Sequence, residues 1–173
     1  FGGGFGTEFL KTMSLLENSN KIFFTIVEKK LICEIGKKYF RNYKELKFVD
    51  KIPIKDETFD IINAGSSFHY VNNWLEILDQ LNECNPKYLI FSDLPAGEIE
   101  TFVTCQNYYG KKIPVRFWNI NEFIQKVEKI GFKLIFRSKY DNGYLKYLNQ
   151  FNQPFKLDYF SQLLFKACNK LKN

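Results

Sequence analysis

A chain of 173 residues, 45% of them hydrophobic and 19 of them phenylalanine, is the length of one domain with a real core, which excludes a disordered tail. The net charge of +6 is mild and the lysines are scattered, densest at Lys29-Lys30 and Lys37-Lys38, so charge alone points to no massed nucleic-acid surface. Cys33, Cys84, Cys105 and Cys168 form no Cys-x-x-Cys pair and His69 is the sole histidine, which argues against a zinc site and for reduced cytosolic thiols; no signal peptide or apolar run of roughly 20 residues is present.

The chain opens on Phe-Gly-Gly-Gly-Phe-Gly, residues 1–6. Residues 7–19 then place Phe9, Leu10, Met13, Leu15 and Leu16 on one side at helical spacing. Residues 21–28 are short, apolar and β-branched and predict a buried strand. Residues 30–41 return to helical spacing through Leu31, Ile35 and Tyr39, and 46–49 form a short strand. After a polar loop at 52–57, residues 59–67 predict a strand with Asp60 near its start. The clearest helix spans 72–84, capped by Asn72 or Asn73, with Trp74, Ile77, Leu78 and Leu81 on one stripe. Pro86 stops it, and 87–95 read as a strand ending in a proline turn.

Residues 96–118 read as a long linking segment rich in aromatics. Asn119 or Asn121 caps a helix that closes on Gly131, followed by a strand at 132–140 and a turn at 141–143. Residues 144–158 fit a flap or a short helix, and 159–168 a final strand. Strands alternating with helices predict one α/β domain around a mainly parallel sheet.

In such a sheet the turn after the opening strand faces the ligand crevice. Gly2, Gly4 and Gly6 make a Gly-x-Gly-x-Gly run, which lets backbone turn sharply and approach a ligand closely. Thr7 stands where a dinucleotide site places its last glycine, and no Gly-Lys-Ser/Thr follows, which excludes a triphosphate P-loop. Alone, the run also fits a flexible chain end. Glu28 lies at the end of a strand about 20 residues on, the spacing at which a carboxylate meets a ribose diol. A solvated glutamate before two lysines is its plain alternative. Together the two features predict a ribose-bearing cofactor.

Residues 52–74 resemble a segment of small-molecule methyltransferases that use S-adenosylmethionine: a proline-containing loop, an aromatic-Asp pair, small residues at a strand end, then an aromatic and histidine stretch and a helix. The chain is nearer still to small methyltransferases encoded among bacterial surface-polysaccharide genes, through Ile26-Val27-Glu28, Ser66-Ser67-Phe68-His69-Tyr70, Asp93-Leu94-Pro95 and Val103-Thr104-Cys105-Gln106. The resemblance implies a Rossmann-like class I sheet, mostly parallel with an antiparallel last strand. It implies S-adenosylmethionine held by Gly2, Gly3, Gly4, Phe5, Gly6, Glu28, Lys29, Asp50, Lys51, Ile52, Gly65 and Ser66, with no metal. It also implies that the first strand, and the acid meeting the methionine amino group, lie upstream of Phe1, so that 1–173 is an N-terminally incomplete single domain.

Methyl transfer to a hydroxyl profits from a general base, and His69 and Asp93 are the candidates. Packing beside Phe68 and Tyr70, and capping the Leu94-Pro95 turn, are their structural alternatives. Tyr70, Trp74, Gln106, Tyr108, Tyr109 and Trp118 are candidates to bind the acceptor, expected to be a sugar or sugar nucleotide of surface-polysaccharide synthesis; Trp74 is half core, and Tyr108, Tyr109 and Trp118 also suit packing of the sheet edge. The competing readings are a nucleic-acid methyltransferase, an NAD-dependent oxidoreductase and a non-catalytic binding fold. The chain lacks the Asn-Pro-Pro-aromatic signature of the first and a convincing Tyr-x-x-x-Lys pair for the second. A cytoplasmic location is expected.

Overall fold

Two short parallel β–α–β units are laid side by side. In the first, Phe24–Val27 (β1) pairs with Leu46–Val49 (β2) across the helix Lys30–Tyr39 (α2), with Phe24 opposite Leu46 and Val27 opposite Val49. In the second, Ile61–Asn63 (β3) pairs with Tyr88–Leu94 (β4) across the helix Trp74–Glu83 (α3). A helix at Thr7–Leu15 (α1) precedes both units. The structure, a computed structural model, describes residues 1–16, 21–54, 57–141, 143, 145–148 and 150–168. Parts of the predicted first helical stretch, of the 52–57 loop, of the 141–143 turn and of the 144–158 segment lie outside the described residues.

The remaining elements are Ala96–Gly97 (β5), Phe102–Tyr108 (β6), Lys111–Asn119 (β7), the helix Ile120–Lys129 (α4), Phe132–Tyr140 (β8) and Phe160–Ala167 (β9). The strands β3, β4, β9 and β8 form one sheet in that order, and β9 runs antiparallel to both of its neighbours. No helix among the described residues is long and apolar enough to cross a membrane.

The main core lies between β4 and β9 and the helices α3 and α4. Leu89 and Phe91 of β4 meet Leu78 and Leu81 of α3, and Phe123 and Val127 of α4, all at most 2% exposed. The four-residue step from Phe123 to Val127 puts both side chains on one helical stripe. Asn119 starts α4 by accepting the N–H groups of Asn121 and Glu122, which satisfies donors the first turn leaves unpaired.

A separate small core holds Ile26, Cys33 and Phe48 under α2. Here the expected stripe of α2 is corrected: Leu31 and Tyr39 are exposed, and the buried face is Cys33 and Gly36. Gly36 decides it, because a Cβ there would stand 2.4 Å from the Phe48 ring. The helix therefore docks through its smallest residue. In α1 only Phe9 is buried; Leu10, Leu15 and Leu16 are exposed.

The segment read as a linker is instead a hairpin. β6 and β7 pair antiparallel from Phe102–Phe117 to Tyr108–Lys111, and β5 adds to β7 as a third strand. Its two-residue turn is Tyr109-Gly110, both at positive φ (47° and 76°), the backbone that matches the twist of a tight hairpin. Ile99, Val115, Phe117, Leu157 and Phe160 form a cluster between this sheet and the later chain, joined by Leu145 and Leu148 from a short 3₁₀ turn at Leu145–Leu148.

Between the two parallel units, the amino nitrogen of Phe1 donates to Asn63 O at 2.7 Å and Gly2 N–H donates to Val27 O at 3.0 Å. A single dipeptide thus bonds to the carboxyl ends of β1 and β3 at once. The chain leaves β1 outward to β2 and returns to β3 on the other side, so this gap is the topological switch point, where open α/β sheets bind ligands.

Candidate active site

The glycine turn sits at that switch point, and its glycines differ in role. Gly2 has φ +68° and a Cβ there would come within 2.3 Å of Ser67 Cβ, so a side chain would push the turn off the end of β3. Gly4 has φ +54° but faces open space, and its N–H donates to Glu28 Oε1 at 3.3 Å. Gly3 lies against Ile26, while Gly6 is buried at φ +87° and opens α1. Phe5 is half exposed at the tip of the turn. Glu28 also accepts the N–H of Lys29 at 2.8 Å, so its carboxylate is held toward the glycines by two backbone donors.

Beside the turn is a cavity of about 380 Å³ bordered by Phe1, Val27, Asp50, Lys51, Ile52, Ile54, Ile77 and Gln80. Its volume is that of a small-ligand site, in the range of about 300–1,000 Å³. Asp50, Lys51 and Ile52 therefore border the same hollow as the end of β1, while Lys29 is exposed beside Glu28.

A second group gathers at the carboxyl ends of β3 and β4. Ser66 and Asp93 both lie in the left-handed region (φ 51° and 54°), and Ser66 Oγ donates to Asp93 Oδ2 at 2.7 Å. For residues other than glycine this conformation costs about 1–2 kcal/mol each. Asp93 falls in a bulge of the β4–β9 ladder, between the pairs Phe91–Leu163 and Leu94–Ser161, and a bulge redirects the side chain it carries. Gly65 permits this close approach, because a Cβ there would be 2.6 Å from Ser92 Oγ. Two strained residues bonded to each other at strand ends mark a site held in place by its surroundings.

His69 lies in a 3₁₀ turn, Phe68–Tyr70, and is 7% exposed, with its ring 4.1 Å from that of Tyr70. Burial pushes its pKa down from 6.5 to about 4, although the charge of Asp93 pulls the other way. The imidazole is thus neutral at pH 7, and its Nδ1 is buried with no hydrogen-bond partner among the described residues. Tyr70 OH donates to Gln106 Oε1 at 2.8 Å, which ties the β6–β7 hairpin to this turn and joins two of the predicted acceptor-binding residues.

Other predicted residues are placed differently. Trp118 is 1% exposed and stacks on Phe68, so the structure puts it inside the core rather than on the crevice. Trp74 stacks on Phe123 at 5.7 Å and is half-buried. Together with Glu122, Phe123 and Lys126 the two tryptophans border a separate cavity of about 360 Å³, which no residue of the glycine turn or the Asp93 group borders. Tyr108 and Tyr109 stand exposed at the hairpin tip and pack edge-on against each other.

Sequence reasoning missed Tyr140. At the end of β8, its hydroxyl donates to Asp93 Oδ1 at 2.6 Å. Burial, then the hydrogen bond and charge of Asp93, raise its pKa above the usual tyrosine range, so it stays a donor. Its only sequence signal is its place as the last residue of a strand before a turn.

The chain matches no protein-family model and no curated protein. It is similar in structure to a Listeria monocytogenes protein described as an S-adenosylmethionine-dependent methyltransferase, at 12% identity and a TM-score of 0.68, covering 96% of this chain and 88% of that one. An S-adenosylmethionine-dependent methyltransferase from Mesorhizobium loti matches with the same coverage, at 9% identity and a TM-score of 0.67. The 4+2 cyclase SpnF matches at 13% identity and a TM-score of 0.64, over 96% of this chain and 73% of that one. The chain therefore has an α/β fold similar to that of S-adenosylmethionine-dependent methyltransferases, but its strands form three sheets, two of them mixed, rather than the expected single, mostly parallel one.

Proposed function

We propose that this chain transfers a methyl group from S-adenosylmethionine to a hydroxyl of a small molecule, a sugar or sugar nucleotide of surface-polysaccharide synthesis. A cyclase shares the fold, so the fold alone does not select methyl transfer. The observation that carries the reading is the glycine turn at the switch point, hydrogen-bonded to Glu28 and adjoining the 380 Å³ cavity through Phe1.

The residues fit the cofactor. The open Cβ position and positive φ of Gly4 leave backbone bare toward a ligand. Glu28 would hold the ribose hydroxyls, Asp50, Lys51 and Ile52 would border the adenine, and Gly65 and Ser66 would face the methionine end. When bound, S-adenosylmethionine would supply a methyl group on a sulfonium, to be taken in line by an aligned nucleophile as the sulfur leaves as a neutral thioether. The acceptor hydroxyl gives its proton to Asp93, near the end of β4, or to neutral His69, in the 3₁₀ turn that follows β3. Tyr70 and Gln106 hold the acceptor from the hairpin side.

We also propose that a parallel strand occupies the gap between β1 and β3 and enters the glycine turn at Phe1. The dipeptide that already bonds to both Val27 O and Asn63 O supports it, since one backbone suffices to bridge the two units. β-branched apolar residues ending in Asp or Glu, encoded just before Phe1, are the expected sequence of that strand, and a polar, glycine-rich stretch there would remove it.

The experiment is calorimetric titration of the full polypeptide with S-adenosylmethionine and, separately, NAD, followed by methyl acceptance across sugar nucleotides and tRNA. Binding of S-adenosylmethionine and methylation of a sugar nucleotide are expected. Absence of S-adenosylmethionine binding would overturn the reading, and methylation of tRNA alone would replace the acceptor.

A further inference from the structure

Tyr140 belongs to two groups at once. Its ring packs on the cluster of Ile99, Val115, Phe117, Leu157 and Phe160, which seats the β6–β7 hairpin. Its hydroxyl reaches Asp93, on a strand that is not its neighbour: β9 lies between β8 and β4. The reach is open because Tyr140 pairs with Phe160, the first residue of β9, so little of the intervening strand stands in the way.

Asp93 is the residue that needs such a support. It sits in a bulge with left-handed backbone, and Ser66, which holds its Oδ2, is itself left-handed. Neither backbone conformation is a resting preference of its residue, so the direction of the carboxylate is set by what holds its two oxygens. Ser66 supplies a hold on Oδ2 from the loop after β3, and Tyr140 a hold on Oδ1 from β8.

We infer that Tyr140 is a positioning residue, whose hydroxyl fixes the direction and the basicity of Asp93 and couples both to the seating of the hairpin. The inference rests on the methyltransferase reading for the reaction served, but not for the contact itself. A carboxylate that accepts two hydroxyl protons is oriented before any acceptor arrives, and each donor makes it a weaker base than the same carboxylate without that donor. It therefore aligns an acceptor hydroxyl and takes its proton as methylation makes that proton acidic, rather than drawing it off beforehand. Among the groups that face the carboxylate are Ser66 and Tyr140 through hydrogen bonds and His69 through charge.

The test is Tyr140→Phe in the full polypeptide, with ¹³C-carboxyl-labelled aspartate and the Asp93 signal assigned through Asp93→Asn. Loss of the donor raises the Asp93 titration midpoint by about one pH unit, while S-adenosylmethionine affinity by calorimetry stays within about twofold, since no cofactor contact is removed. A difluorotyrosine at position 140 keeps the ring and strengthens the donor, so it lowers the midpoint and serves if the phenylalanine variant does not fold. A midpoint unmoved by either replacement overturns the inference. Failure of the wild type to bind S-adenosylmethionine would instead overturn the methyltransferase reading, and the carboxyl titration would still decide the role of Tyr140.

Discussion

His69 links stability to pH, and the size of the effect follows from its burial. In the unfolded chain its pKa is 6.5, and in the fold about 4. At about 1.4 kcal/mol per unit, this gap is worth roughly 3 kcal/mol. The sign is fixed by which state binds the proton first. Below pH 6.5 the unfolded chain takes it up and the fold does not, so stability is whole above that pH and is lost as pH falls toward 4. Carboxylates titrate in the same range, but they are common to the wild type and to His69→Gln, and cancel in the difference. Urea unfolding of both proteins at pH 7, 6, 5 and 4, followed by fluorescence of Trp74 and Trp118, reads it directly. The wild type should lose about 3 kcal/mol relative to the variant across that window. A difference that stays flat would refute the reasoning, as would a midpoint near 6.5 for the single histidine resonance in NMR.

Glu28→Gln should weaken S-adenosylmethionine binding about tenfold to a hundredfold, the worth of hydrogen bonds to a charged group, measured by calorimetry. The thermal midpoint should barely move, since the amide oxygen can still accept the Lys29 N–H. Gly36→Ala should do the reverse: its new Cβ would stand 2.4 Å from Phe48, costing about 1–3 kcal/mol in urea unfolding with no cofactor contact touched.

Much of the framework was legible because it is local. Residues 46–49 and 132–140 were readable as strands from their apolar run, and Asn119 or Asn121 as a cap before a helical stripe, of which the structure uses Asn119. The hairpin was not. A tight hairpin turn is announced by Asn-Gly or Asp-Gly, and here Tyr109 takes the first left-handed position, so the signal was missing although the backbone is the same. The face of α2 was also hidden, since its apolar residues cover a broad arc from Leu31 round to Cys33, opposite Lys30, Glu34, Lys37 and Lys38. Spacing favoured Leu31, Ile35 and Tyr39, but contact with Phe48 requires Gly36 on the inside.

The sequence by itself determined the rhythm of strands and helices, the glycine turn, and the place of Glu28 at a strand end after it. These depend on backbone freedom and on periodicity, which neighbouring residues carry. Only the tertiary structure decided that Ser66, Asp93 and Tyr140 share one hydrogen-bonded group, because they come from two strands and the loop after a third, and their contact depends on strand order and a bulge. It also buried Trp118 and His69, since burial is a property of what the rest of the chain packs around a residue.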